Sequence, residues 1–387
     1  MKLLFVQSGS RVKTDTQGNY YTDGNFNEEV WKRYLNLADE FCLILRKEDK
    51  VYSEEYAQKH FNYLNTNKIR YIPVTDVYRP IKNYFNFALK RKIKNTIESE
   101  VLRADKIIVR SPDSYYSYLA IKLARKHNKS YLVEVTGFAF SSLWNQGIKG
   151  KLVALPSELR TKRIMKNAAW GLYVTNYALQ KSYPCPQHSC GCSDVVLKFG
   201  LKPEKSFDTN KILKLGTAAF LDVEWKGQKD VIKALAKLKK MGVKTFKYSL
   251  VGLGTGKKLK KLVKKYELDD IVCFEGAKSY TEMPLWYDTL DIYVQPSYQE
   301  GLCRAIIEAM SRSCPVVCSD VGGNSELIDK KYIYHAGKID ELIEILSNLS
   351  EQELVEMSNQ NYSKSLEFKK DILDKKRNEF FKKFIEN

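Results

Sequence analysis

The sequence has no run of the roughly 18 consecutive apolar residues that a membrane-spanning helix requires. Its start, MKLLFVQSGS, carries one lysine and four consecutive apolar residues. That is too short for a signal-peptide core and reads as a first buried strand, so the expected location is the cytoplasm. None of the four histidines (60, 127, 188, 335) sits beside a serine or cysteine in a recognisable nucleophile elbow, so a hydrolase triad has no support. No Asp-x-Asp pair occurs, and there is no short-period repeat or low-complexity tract. The eight cysteines are scattered singly apart from Cys185, Cys190 and Cys192, which fits reduced thiols better than an extracellular disulfide framework. The C-x4-C-x-C spacing of that cluster lacks a zinc knuckle, so loop cysteines are expected and no metal.

What is present is a globular chain of 387 residues, 44% hydrophobic and 28% charged, long enough for two domains. Its net charge of +18 is uneven: residues 1–200 hold 32 Lys and Arg against 18 Asp and Glu, and residues 201–387 hold 32 against 28. Within residues 79–166 the count is 19 basic to 6 acidic, with aromatics such as Tyr84, Phe85, Phe87 and Trp144 interleaved. Such a face suits a polyanion: an anionic bilayer surface, a phosphate-bearing lipid or a nucleic acid.

The N-terminal half alternates strand-like runs (Leu3–Gln7, Phe41–Leu45, Tyr71–Val74, Lys106–Val109, Tyr131–Val135, Trp170–Val174) with stretches of helical period such as Phe85, Leu89, Ile93 and Ile97. The C-terminal half repeats the logic with Ile212–Gly216, Tyr248–Gly252, Ile271–Phe274, Asp291–Val294 and Pro315–Cys318. Two doubly wound α/β domains are expected, over 1–200 and 208–362, with Phe199–Asp208 as linker. A long charged helix over 363–387 carries Phe380, Phe381 and Phe384, whose aromatic face needs a partner: the body of the N-terminal domain, or a membrane.

In open parallel sheets ligands lie beyond the carboxyl ends of the strands. After Asp291–Val294 comes Gln295-Pro-Ser-Tyr-Gln-Glu300-Gly301-Leu302-Cys303-Arg304, turning into a helix near Cys303, so the amides of Gly301 to Arg304 are open to an anion. Glu308, inside that helix, has the chemistry to accept both hydroxyls of a ribose. Lys226-Gly227 and the turn Gly252-Leu-Gly254-Thr-Gly256 converge on the same anion, and together the three segments point to a phosphorylated, ribose-bearing ligand.

The ordered set Glu300-x7-Glu308, Cys314-Pro-Val-Val and Asp320-Val-Gly-Gly-x-x-Glu326, preceded by Lys226-Gly227, Val251-Gly252-x-Gly254, Phe274-x-Gly276 and Gln295-Pro-Ser, resembles the donor-binding signature of retaining glycosyltransferases of family 4. The N-terminal half is similar, more loosely, to bacterial capsule and O-antigen members in Asp23-Gly24-Asn25, Glu134-Val-Thr-Gly137 and Val174-Thr-Asn176. The resemblance implies the GT-B arrangement, two Rossmann-like domains facing a central cleft. It also implies transfer of a sugar from a nucleotide-sugar, a UDP-sugar in the commonest case, to a glycan or lipid-linked acceptor in surface-polysaccharide biosynthesis.

Carried over by position, the resemblance implies that Glu308 binds the ribose and Glu300 a hydroxyl of the donor sugar. Gly301, Leu302 and Cys303 meet the diphosphate through their amides, Lys226 meets it by charge, and Gly252 borders the donor. Arg304 stands in for an arginine that many members carry after the glycine equivalent to Gly216. Glu134 either orients the acceptor hydroxyl or caps a strand end, and Gly24 and Asn25 either form an acceptor or diphosphate loop or cap the following helix. The missing Asp-x-Asp removes the metal-diphosphate motif of the other large glycosyltransferase fold, so no divalent ion or other cofactor is expected. The basic region 79–166 would then grip anionic lipid at the inner face of the membrane. The alternatives are a nucleotide-sugar epimerase or phosphorylase on the same fold, for which the sequence has no pocket signature, and a nucleic-acid-binding protein, for which it has charge without a recognition motif.

Overall fold

A computed structural model of the protein describes residues 1–24, 26–197, 202–242 and 246–387. Runs such as Leu3–Val6, Leu43–Leu45 and Val316–Cys318 are apolar on both faces, as strands covered on both sides must be, and all are buried. They assemble into two sheets. The first runs Arg70–Thr75, Glu40–Tyr52, Lys2–Asp15, Lys106–Arg110, Tyr131–Val135, Trp170–Tyr173, His188–Gly191, all parallel. The outer half of Lys2–Asp15 keeps its pairing with Glu40–Tyr52 and on its other edge pairs antiparallel with Tyr20–Thr22, which pairs antiparallel with Asn62–Tyr63. The second sheet runs Val272–Gly276, Phe246–Val251, Leu213–Ala218, Ile292–Gln295, Val316–Ser319, Ile333–Tyr334, again all parallel. The order is 3-2-1-4-5-6-7 along the parallel path of the first sheet and 3-2-1-4-5-6 in the second, the doubly wound pattern, with the switch point beside the first strand. Two such α/β sheets are the GT-B architecture.

Helices Phe87–Arg103, Tyr115–Lys126 and Ile148–Lys166 share one core cluster with the first sheet, through Ile93 and Ile97, Ala120 and Leu123, and Ile164 and Met165. They form the layer on one of its faces, and the basic segment 79–166 is largely the outside of this layer.

Three expectations change. Cys190 lies in an unforeseen strand, His188–Gly191, rather than a loop, and Cys192 is buried just beyond it. Of the linker, residues 199–201 lie outside the described residues; Phe207 joins the large core cluster that includes the second sheet. The long terminal helix is two, Glu351–Ser365 and Lys370–Glu386, separated by a turn of 3-10 helix at Leu366–Phe368. The second one seats Phe380 and Phe384 on Trp170, with ring centroids 5.5 and 5.7 Å away, and Phe381 near Tyr34 at 6.0 Å. Its aromatic face is covered by the first sheet's core and is closed to a membrane.

Candidate active site

A cleft of about 560 Å³ lies between the two sheets. Its walls come from the carboxyl ends of strands: Ala218, Gly252, Ala277 and Gln295 from the second sheet, Arg110 and Asp194 from the first, with Gly24, Val30 and Arg33 above them. Of the expected residues, Gly24, Lys226, Gly252, Glu300, Leu302, Cys303, Arg304 and Glu308 all line it. Asn25 lies outside the described residues. Asn27, rather than Gly24 or Asn25, caps the helix Glu28–Leu35, its side chain accepting from the Val30 amide at 3.1 Å.

The loop after Ile292–Gln295 holds the densest chemistry. Glu300 Oε1 accepts from Lys226 Nζ and from Ser297 Oγ, each at 2.7 Å, and from Gln295 Nε2 at 3.3 Å. Burial works against the Lys226 ammonium, and the Glu300 carboxylate more than offsets it, so the lysine stays charged above its ordinary range. Lys226 reaches this loop because Gly227, at φ 73°, backs onto it: a β-carbon there would sit 1.8 Å from the Pro296 carbonyl oxygen. Gly301 marks the seam between the sheets, since a β-carbon would meet the Thr136 carbonyl oxygen at 2.1 Å.

The helix Arg304–Ser311 opens into the cleft. Among the described residues, the amides of Gly301, Leu302 and Cys303 donate no hydrogen bond, which leaves an anion-binding end. Glu308 lies one turn in, its Oε2 accepting from the Tyr287 hydroxyl at 3.0 Å. Burial raises its carboxyl above the ordinary range, against the opposing pull of that hydrogen bond and of Arg304. The Cys303 thiol is pushed up to about 12 by burial and by the Glu300 charge, so it is a neutral wall and no nucleophile.

The glycine-rich turn is less open than its sequence suggests. The amides of Thr255 and Gly256, at the start of the helix Lys257–Lys265, donate to the Asp222 carboxylate at 2.8 and 3.0 Å. That helix end is already capped, and only the Gly252-Leu253 part of the turn lines the cleft.

Glu134 needs a correction. Only 4% exposed, it lies behind the cleft wall, where both carboxylate oxygens accept from the Tyr34 hydroxyl (2.9 and 3.0 Å) and one from Arg110 at 3.2 Å. The side chain that faces the cleft is its partner's: Arg110, braced between Glu134 and Asp194, the latter at 2.6 Å. Asp194 is held down at about 2: burial opposes this, but Arg110, Arg304 and Arg33 overcome it. Arg33, Arg110 and Asp194 were missed by the sequence reading because 161 residues separate the first from the last. The one available signal was the position of Arg110 at the carboxyl end of Lys106–Arg110, where ligands are met.

Residues 204–365 match the sequence model of the family "Glycosyl transferases group 1". Protein CapJ of Staphylococcus aureus is 33% identical over 353 residues, covering 90% of this chain and 86% of CapJ. The amylovoran biosynthesis glycosyltransferase AmsK of Erwinia amylovora is 32% identical over 174 residues, 41% of this chain and 42% of its own. Among solved structures, sucrose-phosphate synthase from Thermosynechococcus elongatus superposes with a TM-score of 0.68 at 12% identity, over 100% of this chain and 99% of the other. Anabaena HepE in complex with UDP-glucose superposes with a TM-score of 0.62 at 16% identity, over 99% and 100%. At such identities the solved structures speak for the fold alone.

Proposed function

We propose that this chain, which belongs to the group 1 glycosyl transferases, moves a sugar with retention from a UDP-sugar to a glycan or lipid-linked acceptor in the making of a bacterial surface polysaccharide. The observation that carries this reading is the meeting of Lys226, Glu300, Glu308 and an open helix N-terminus in one cleft. Glu308 accepts the ribose hydroxyls, and its hydrogen bond from Tyr287 fixes the carboxylate toward the cleft. The amides of Leu302 and Cys303 and the charges of Lys226 and Arg304 face the diphosphate, while Gly252 leaves room beside it; Gly301 makes the turn into this end without lining the cleft itself.

As the glycosidic bond breaks, negative charge collects on the leaving diphosphate, and donors already in place lower that barrier. Glu300, neutralised by Lys226 and fixed by Ser297, holds a donor-sugar hydroxyl; no carboxylate nucleophile is invoked, and the acceptor hydroxyl attacks the face from which the diphosphate leaves. With this much positive charge supplied by the chain, the reading needs no divalent metal. Gly24 stands over the cleft on the acceptor side.

The biological setting draws on AmsK, a biosynthetic glycosyltransferase for amylovoran, and the uridine base on HepE, which was solved with UDP-glucose. The basic layer of residues 79–166 supports docking at the inner face of the membrane, where a lipid-linked acceptor is found.

The test is transfer from UDP-sugars to a lipid-linked acceptor in the presence of EDTA, with the anomeric configuration of the product read by NMR. Retained configuration with full activity fits the reading. An inverted product, or activity restored only by added metal, overturns those parts of it.

A further inference from the structure

The helix Ile148–Lys166 is built inside out. The face it turns to the core carries Gly150, Ala154, Ser157 and Thr161 before Ile164 and Met165, whereas Ile148, Leu152, Leu155 and Leu159 are 82, 75, 57 and 58% exposed. Their spacing of four, three and four puts them on one stripe of the helix, pointing away from the protein. A stripe of large aliphatic side chains at helical spacing, facing water, asks for a covering partner.

Charge says which partner. Beside the stripe, between this helix and Tyr115–Lys126, runs a groove of about 550 Å³ whose charged residues are Lys122, Arg125, Arg160 and Arg163, with no carboxylate in its lining. Arg160 is pinned there by donating to the Asp113 carbonyl at 2.6 Å and by lying over the Tyr118 ring at 5.1 Å, and its Nε has no hydrogen-bond partner among the described residues. No ion pair to Lys122, Arg125 or Arg163 is present among the described residues. Lys149, Lys151, Lys162 and Lys166 continue the positive rim along the same helix. An apolar stripe flanked by cations, with a basic groove at its edge, is the chemistry of a helix lying in the headgroup layer of an anionic bilayer.

We propose that Ile148–Lys166 is a membrane-seating helix: the Ile148, Leu152, Leu155 and Leu159 stripe enters the acyl layer, and the groove of Lys122, Arg125, Arg160 and Arg163 holds the phosphate of one anionic lipid. The site rests on the membrane reading above and gives it a place. Glu158, one residue before Leu159, turns to the other side of this helix, where it lines a second, smaller hollow of about 250 Å³ that contains Glu300.

The experiment is co-sedimentation of the full chain with vesicles of phosphatidylglycerol or of phosphatidylcholine, using the wild type, a stripe variant (Leu152→Ser, Leu159→Ser) and a groove variant (Arg125→Glu, Arg163→Glu). The shift in melting temperature with UDP reports that each variant is folded with an intact donor site. The wild type is expected to bind phosphatidylglycerol selectively, and each variant to lose about 30-fold or more of that binding while keeping its UDP shift. Inorganic phosphate at the lipid's phosphate concentration is expected to leave vesicle binding unchanged; displacement would make the groove a site for free phosphate and overturn the lipid assignment. If the wild type binds and both variants bind equally, the stripe and groove are not the seat, although the membrane reading stands. No vesicle binding by the wild type removes the membrane reading and this site with it. Unchanged vesicle binding together with a dimer lost in the stripe variant, seen by sedimentation, would reassign the stripe to self-association.

Discussion

Arg110 shows how the site is held at the level of single side chains. Its guanidinium lies between Glu134 and Asp194, and removing it strands two carboxylates, one of them almost fully buried. Breaking such a pair by deleting one partner costs about 3–5 kcal/mol, mostly from the uncompensated charge. Arg110→Ala should therefore lower unfolding stability by that amount in a urea titration, and adding Glu134→Gln should restore part of it; full additivity of the two changes would refute the coupling. Glu308 makes a second prediction, with a sign set by its raised carboxyl. A carboxyl whose folded value lies above its ordinary 4.5 binds its proton more tightly when folded, so its contribution to stability is present below 4.5 and is lost as pH rises through the folded value. The melting temperature of Glu308→Gln should accordingly gain on that of the wild type as pH rises above that range, although nucleotide affinity is lower. A constant difference across pH would mean that burial does not perturb this carboxyl.

At the scale of elements, the two halves are joined by a helix cap supplied from one to the other. The carboxylate of Glu326, from the turn after Val316–Ser319, accepts from the amides of Asn176, Tyr177 and Ala178 at 2.7, 3.0 and 2.6 Å, closing the start of the helix Ala178–Ser182 in the other half. Hydrogen bonds to a charged group contribute about 1.5–3 kcal/mol, so Glu326→Ala should destabilise the protein by at least that much in chemical denaturation. Stability equal to the wild type would mean that the halves do not depend on this contact.

The elements themselves were legible where burial is two-sided: Tyr131–Val135 and Lys106–Val109 follow from short runs that are apolar but for one charged residue each, Glu134 and Lys106. Tyr20–Thr22, Asn62–Tyr63 and Ile333–Tyr334 are two or three residues long and too short to show a period, and His188–Gly191 is an edge strand of polar and small residues. The outer half of Lys2–Asp15 is likewise polar in sequence, though its Ser8, Ser10, Lys13 and Asp15 side chains are buried against neighbours the sequence cannot reveal. In the site, Glu300, Glu308 and Lys226 were readable because they sit in an ordered local pattern. Arg33 and Arg110 were not, because only the tertiary fold brings them to the cleft.

Over the whole molecule, the charge excess of the first 200 residues separates into two uses. Arg33 and Arg110 turn inward to the cleft, whereas Lys122, Arg125 and Arg163 lie on the outside of the helical layer. This division predicts that salt weakens vesicle binding steeply while changing nucleotide affinity little, because exposed charges are screened and those in the cleft are shielded. Parallel loss of both on raising salt would contradict it.

The account's central claim is a nucleotide-sugar site built around Glu308, and the most direct measurement is the rise in melting temperature on titrating the protein, in EDTA, with UDP, GDP and ADP. The account predicts a selective shift with UDP that is weakened in Glu308→Ala by about 1.5–3 kcal/mol of binding free energy, the worth of hydrogen bonds to a charged acceptor. No shift with any nucleotide, or a UDP shift that Glu308→Ala leaves untouched, would contradict it.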